Sequence, residues 1–135
     1  MEEKLPQSEE FSVVKRAKSF TYAWRGIWIF VRTTHNAWIH LTVFALAIIA
    51  GAYFRITQID WLFVVVAAGF VLVAEAFNTA IEIDIDLTSP SYHPYARDTK
   101  DVAAGAVLIA ALTAAVIGII VFLPYVLPYI LALRG

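Results

Sequence analysis

The sequence predicts an all-α integral membrane protein, with one amphipathic interfacial helix followed by three transmembrane helices. Three observations predict it. Of the 135 residues, 61% are hydrophobic and 16% charged, with a mean hydropathy of +0.74; a soluble domain carries about 45–50% apolar and about 25% charged residues. Three apolar runs approach the ~20 residues that cross roughly 30 Å of hydrocarbon. The cations are unevenly distributed between the segments that flank those runs. The same composition excludes other classes. A disordered chain is poor in apolar residues, and a disulfide scaffold needs cysteine, which is absent. A net charge of −1 with a pI near 6.3 offers no electrostatic footprint for nucleic acid. The length suits one domain, residues 1–135.

Residues 1–10 are rich in charge and read as a mobile tail. Over residues 11–33, Val13, Val14, Ala17, Phe20, Tyr22, Trp24, Ile27, Trp28 and Val31 interleave with Lys15, Arg16, Lys18, Arg25 and Arg32. A basic, aromatic-rich amphipathic helix of this kind lies in the membrane interface. It serves either as a surface anchor for the spans or as a source of cations for a phosphate. The first span, 37–54, has no formal charge, and His40 is its one ionisable group. The second, 61–81, is apolar as far as Glu75 and polar from Asn78. The third, 102–122, precedes a hydrophobic tail, 123–135, in which Pro124 and Pro128 predict a kinked extension or an interfacial segment. No cleavable signal is expected, because the first apolar run begins far from the N-terminus and two more follow it. Trp38, Tyr53, Phe54 and Trp61 fall near span ends, as an aromatic belt does.

Between the second and third spans, Ser89-Pro90 and His93-Pro94 read as turns. Asp98 or Thr99 is the expected cap of the third helix. That places Lys100 and Asp101 in its first turn, where backbone N–H groups favour anions. With three spans, the N-terminus and this loop share one side of the membrane. That side holds eight of the ten Lys and Arg residues, so it is predicted to be cytoplasmic.

An ionisable group inside a span is costly and points to function. At about 100° per residue, Glu75, Asn78, Glu82 and Asp86 share one stripe of the second span, and Asp84 points elsewhere. Polar side chains also serve as contacts between membrane helices, which is the simpler reading of Asn78 alone. An ion pathway is a further reading. Three carboxylates without local cations call for an external one, and carboxylate oxygens suit Mg²⁺, which commonly bridges to phosphates. The six glycines are scattered, with no phosphate-cradling motif, and there is no cysteine thiolate. Phosphate chemistry here would use carboxylates, a metal and cations directly.

EAFNTAIE with Asp86, followed by HPYARDTKDVAAGAVL, resembles the signature of the bacterial diacylglycerol kinase and undecaprenol kinase family. The resemblance covers about residues 12–122. The family implies a homotrimer of three-span subunits in the bacterial inner membrane with a cytoplasmic N-terminus. It also implies Mg²⁺- and ATP-dependent phosphorylation of a lipid alcohol, undecaprenol or diacylglycerol. Carried over by position, Glu75 matches the general base, Asn78 a supporting polar residue and Glu82 a metal ligand. Tyr22, Ser91, Tyr92, His93, Lys100 and Asp101 match nucleotide contacts. Lys15 stands where the diacylglycerol branch has Arg. The family commonly has a second metal-binding Glu just before the first span, and Thr33-Thr34-His35-Asn36 places Thr34 there. A hydroxyl is a poor substitute for a carboxylate on Mg²⁺. Asp84 and His35 are the nearest replacements, and helix phase argues against Asp84. The second functional reading is therefore a membrane protein that binds nucleotide or a divalent cation without phosphoryl transfer. Thr34 supports that reading, and the intact Glu75, Asn78, Glu82, Lys100 and Asp101 weigh against it.

Overall fold

In this computed structural model the described residues are 13–132, without the side chains of Val13, Lys15 and His35. The tail expected over residues 1–10, the first two residues of the interfacial helix and the last three of the 123–135 segment lie outside them. The described chain forms four helices and no strand: α1 (Val13–Thr33), α2 (His35–Phe54), α3 (Gln58–Thr88) and α4 (Pro94–Ala132).

The break between α1 and α2 is one residue. Thr34 is extended, at φ −100° and ψ 109°, and its side chain makes no cap to α2. Fully buried Ala37 sits just beyond this joint. At the other end of α2, Arg55 adopts the left-handed conformation at φ 51°, and the Ile56 N–H donates to the Gly51 carbonyl at 3.1 Å. That bond satisfies an orphan carbonyl at the helix end. Thr57 then opens α3 with a capping box: its hydroxyl accepts from the Asp60 N–H at 3.2 Å, and its own N–H donates to Asp60 Oδ2 at 3.1 Å. The Tyr125 hydroxyl of α4 donates to the same carboxylate oxygen at 2.7 Å.

Gly51 lets the Trp61 ring approach α2. A Cβ at this position would lie 2.8 Å from Trp61 Cη2 and 3.0 Å from Ile56 Cδ1. The indole cannot withdraw as a flexible chain end does. Gly51→Ala is expected to destabilise the protein by about 1–3 kcal/mol through overpacking. A lower thermal unfolding midpoint with unchanged turnover per folded molecule is the expected result.

The principal packing is α3 against α4. Val64, Ala67 and Val71 form the buried stripe of α3, and Ala103, Ala110 and Val121 lie buried on α4. The alanines admit close approach of the two backbones, as small residues do between membrane helices. Ile56, Val64 and Val121 anchor an apolar cluster at the end remote from Glu75, Glu82 and Asp86, joined by Phe54, Trp61 and Tyr125.

The expectations about the start of α4 are corrected. The helix starts at Pro94, eight residues before the predicted span. Proline is favoured at a first helical position because its missing N–H would be unpaired there, so His93-Pro94 opens the helix. Thr99 therefore does not cap it: its hydroxyl donates to the Tyr95 carbonyl at 2.8 Å, one turn back along the same helix. Lys100 and Asp101 lie in the second turn and not in the first. At the other end, Pro124 and Pro128 lie inside the helix, which continues to Ala132. Phe54 packs on Tyr125 and Tyr129, at ring centroid distances of 6.4 and 5.7 Å, and braces this segment against the end of α2.

Three helical segments, Asn36–Phe54, Gln58–Thr88 and Pro94–Ala132, are long and apolar enough to cross a membrane. Their outward faces carry large apolar side chains such as Leu62, Phe70 and Ile119. Lipid or another chain can cover such a surface, whereas water cannot do so without association.

Candidate active site

The apolar stripe of α3 continues directly into the acidic one. Val64, Ala67 and Val71 are followed at the same helical phase by Glu75 and Asn78, both buried. Glu75 thus occupies the next core position and is 1% exposed. Glu82 and Asp86, further along the stripe, are exposed. From Glu75 to Asp86 the stripe runs about 16 Å along the helix axis, from the interior to the open end of α3.

The polar groups on this stripe are specifically paired. His40 Nε2 on α2 lies 3.2 Å from Glu75 Oε1. Glu75 Oε2 is buried and has no partner among the described residues. The Asn78 side-chain N–H donates to Glu82 Oε1 at 3.1 Å, while Asn78 Oδ1 is buried and unpartnered. A buried polar atom left unpaired costs about 1–3 kcal/mol. The two atoms lie one turn apart on one stripe, and both are hydrogen-bond acceptors.

Thr34 is part of the same region. The Thr79 hydroxyl donates to the Glu75 carbonyl at 2.9 Å. A hydroxyl has one proton, so in the 2.8 Å contact between the Thr34 and Thr79 hydroxyls, Thr34 is the donor. The chain Thr34, Thr79, Glu75 ties the α1–α2 joint to the backbone of the buried acid. It also explains why Thr34 leaves α2 uncapped. The residue at the expected position of a second metal-binding Glu is engaged in a structural bond.

Lys100 on α4 donates through Nζ to Asp86 Oδ1. The carboxylates of the stripe therefore do have a local cation, contrary to the sequence-based expectation. A surface ion pair contributes little stability; its effect is to hold Lys100 at the exposed end of the stripe. Asp101 pairs with Arg97 on its own helix, at 3.5 Å. Ser91, Tyr92 and His93 lie exposed in the connection between α3 and α4, with the His93 ring 5.7 Å from that of Tyr95. Tyr22 is exposed on α1, and no hydrogen bond or ring contact joins it to the stripe among the described residues. Thr34, Glu75, Asn78, Glu82 and Lys100 thus lie on or bond to the stripe in three separate sets, and Tyr22, Ser91, Tyr92, His93 and Asp101 make no hydrogen bond or ion pair with it among the described residues. The Lys15 side chain lies outside the described residues.

His40 and Thr79 were not among the site residues expected from sequence. A signal for His40 existed, since it is the one ionisable group in its span. Thr79 carried none. Beside His40, a groove of about 570 Å³ runs between α2, α3 and α4. Val43, Ala47, Val71, Ala111 and Ala115 are among its walls, and His40 is its one ionisable lining residue.

Among the described residues, no three His, Asp or Glu side chains converge as a metal cage. Mg²⁺ does not require one; it is commonly held by one or two carboxylates together with substrate phosphates. The exposed carboxylate of Glu82, braced by Asn78, fits that more open mode of binding.

A buried acid thus lies on a helix long and apolar enough to cross a membrane, its partner His40 lines an apolar groove, and charged side chains stand at the exposed end of the stripe. Comparison with known proteins gives the class directly. The family described as prokaryotic diacylglycerol kinase matches residues 21–122. The chain is 38% identical over 95 residues to the undecaprenol kinase of Bacillus subtilis, covering 70% of this chain and 77% of that one. It is 38% identical over 97 residues to the diacylglycerol kinase of Synechocystis, covering 71% and 55% respectively. It is 27% identical over 104 residues to the diacylglycerol kinase of Escherichia coli K12, covering 72% and 80%. The chain belongs to the prokaryotic diacylglycerol kinase family and is a lipid kinase of the bacterial membrane.

Proposed function

We propose that the protein transfers the γ-phosphoryl group of ATP, with Mg²⁺, to the hydroxyl of a membrane lipid alcohol, undecaprenol or diacylglycerol. The reaction would take place at the cytoplasmic face of the inner membrane, in a homotrimer with cytoplasmic N-termini. The observation that carries this reading is the buried Glu75, whose free oxygen lies at the inner end of a stripe that reaches solvent at Glu82 and Asp86.

Phosphoryl transfer asks the protein chiefly for positioning and charge stabilisation. Glu75 takes the proton of the lipid hydroxyl, whose oxygen bonds to the γ-phosphorus as the bond to ADP breaks. Glu82, steadied by the Asn78 side-chain N–H, would hold Mg²⁺. When bound, that ion supplies positive charge to the phosphate oxygens. Lys100 exchanges its Asp86 partner for a phosphate. Lys15, Tyr22, Ser91, Tyr92, His93 and Asp101 are assigned to the nucleotide on their match to the family's pattern. The groove beside His40 takes an apolar chain while the alcohol stays at Glu75. This depth lets an ATP approaching from water meet a hydroxyl held at the membrane.

The test is radiolabelled ATP with Mg²⁺ and vesicles containing either undecaprenol or diacylglycerol. Label is expected to enter the organic phase with at least one of the two, and no label is expected when Mg²⁺ is chelated. ATP binding without transfer to either lipid would overturn the kinase reading in favour of a catalytically inactive nucleotide-binding protein.

A further inference from the structure

We propose that His40 is a positioning residue for Glu75: its Nε2–H donates to Oε1 of the buried carboxylate and leaves Oε2 as the oxygen that receives the proton from the lipid hydroxyl. The inference rests on the reading of Glu75 as the base and goes beyond it by naming the partner that selects the reacting oxygen.

Three observations support this assignment. His40 Nε2 lies 3.2 Å from Glu75 Oε1 and is the partner of that carboxylate among the described residues. Glu75 Oε2, on the same side chain, is buried and has no partner. The His40 side chain is 23% exposed and is the one ionisable group lining the apolar groove. His40 thus links the wall of the groove to the buried acid.

The chemistry follows from the donor inventory. An ionised carboxylate only accepts hydrogen bonds, and a buried one without a donor is expensive. A neutral imidazole carrying its proton on Nε2 gives Oε1 one donor. It orients the carboxylate without placing a full positive charge against it, which would oppose proton uptake. Oε2 is then the oxygen left to accept. In the transfer step the hydroxyl oxygen bonds to the γ-phosphorus and its proton moves to Glu75 Oε2. The bond from phosphorus to the leaving oxygen breaks, and its electron pair stays with ADP. His40 keeps its proton throughout. A histidine that merely joined α2 to α3 would instead affect folding and would not alter turnover selectively.

The test compares His40→Gln, His40→Asn and His40→Leu in the full chain, reconstituted in lipid vesicles. The glutamine amide nitrogen reaches about as far from the backbone as Nε2, whereas that of asparagine stops near the position of Nδ1. The Leu and Asn variants are expected to lose about tenfold or more in kcat, with KM for ATP and for lipid within about twofold of the parent. The Gln variant is expected to recover at least about a third of parental kcat by restoring the donor. Equal kcat in the Gln and Asn variants, or a rise in KM with kcat unchanged, would overturn the proposal. If the Leu variant fails to fold, the comparison of Gln with Asn decides. Glu75→Gln is measured alongside. If it is inactive while all His40 variants match the parent, the positioning role alone fails. If Glu75→Gln retains parental turnover, the base assignment fails and the role of His40 fails with it.

Discussion

Glu75→Gln is expected to lower kcat by about 10²–10⁴-fold, the range that a general base contributes, while the protein stays folded. Glutamine has nearly the shape of glutamate, and its amide oxygen can still accept from His40 Nε2. What it lacks is an oxygen able to take a proton. It also replaces a group that must ionise to act as the base at a site that is 1% exposed, and burying a charge is costly. The thermal unfolding midpoint should therefore stay the same or rise as turnover collapses. This opposition separates chemistry from folding, since a merely structural Glu75 would lose stability and activity together. Turnover within a few-fold of the parent would remove Glu75 from the base role.

The second large effect is expected at Glu82. Glu82→Gln keeps the side-chain length and an oxygen for the Asn78 N–H, which donates to Glu82 Oε1 at 3.1 Å. It removes the negative charge that would attract Mg²⁺. At low Mg²⁺ a loss of about 10²-fold in activity is expected, or about 2.7 kcal/mol of transition-state stabilisation. Raising Mg²⁺ should recover part of it, because substrate phosphates and water would still hold the ion more weakly without the carboxylate. The measurement is activity across a Mg²⁺ series, read as the concentration for half-maximal rate. A variant with the parental Mg²⁺ dependence would show that the ion is held elsewhere. Thr34 is a poor candidate for that role, because its hydroxyl is committed to Thr79.

The acidic stripe was legible in the sequence because it lies on one helix. Helical phase alone puts Glu75, Asn78, Glu82 and Asp86 on one face, and the apolar run before Glu75 indicates that its start is buried. His40 and Lys100 could be seen as charged or ionisable residues near the right depth, but not assigned to partners. Their partners are on other helices, 35 and 14 residues away in the chain, and the rotation of one helix against another is not encoded in the periodicity of either. Thr79 reads as an ordinary polar residue until its contact with Thr34 is known. The start of α4 falls earlier than the sequence predicts for a local reason. His93-Pro94 suits either a turn or a helix start, and the observed fold takes the second.

The sequence by itself determined the class: an all-α chain with three apolar helices, an acid at a core position and a charged end to the second long helix. Those features follow from hydrophobic periodicity and from the energetic penalty on ions in hydrocarbon, both of which act within a single segment. The tertiary structure decided which oxygen of Glu75 is left free, that Thr34 bonds to the Thr79 hydroxyl, and that Lys100 meets Asp86. It also carried α4 past two prolines. Each depends on side chains from two helices meeting at a distance of a few ångströms, and only the packing of one helix on another sets that.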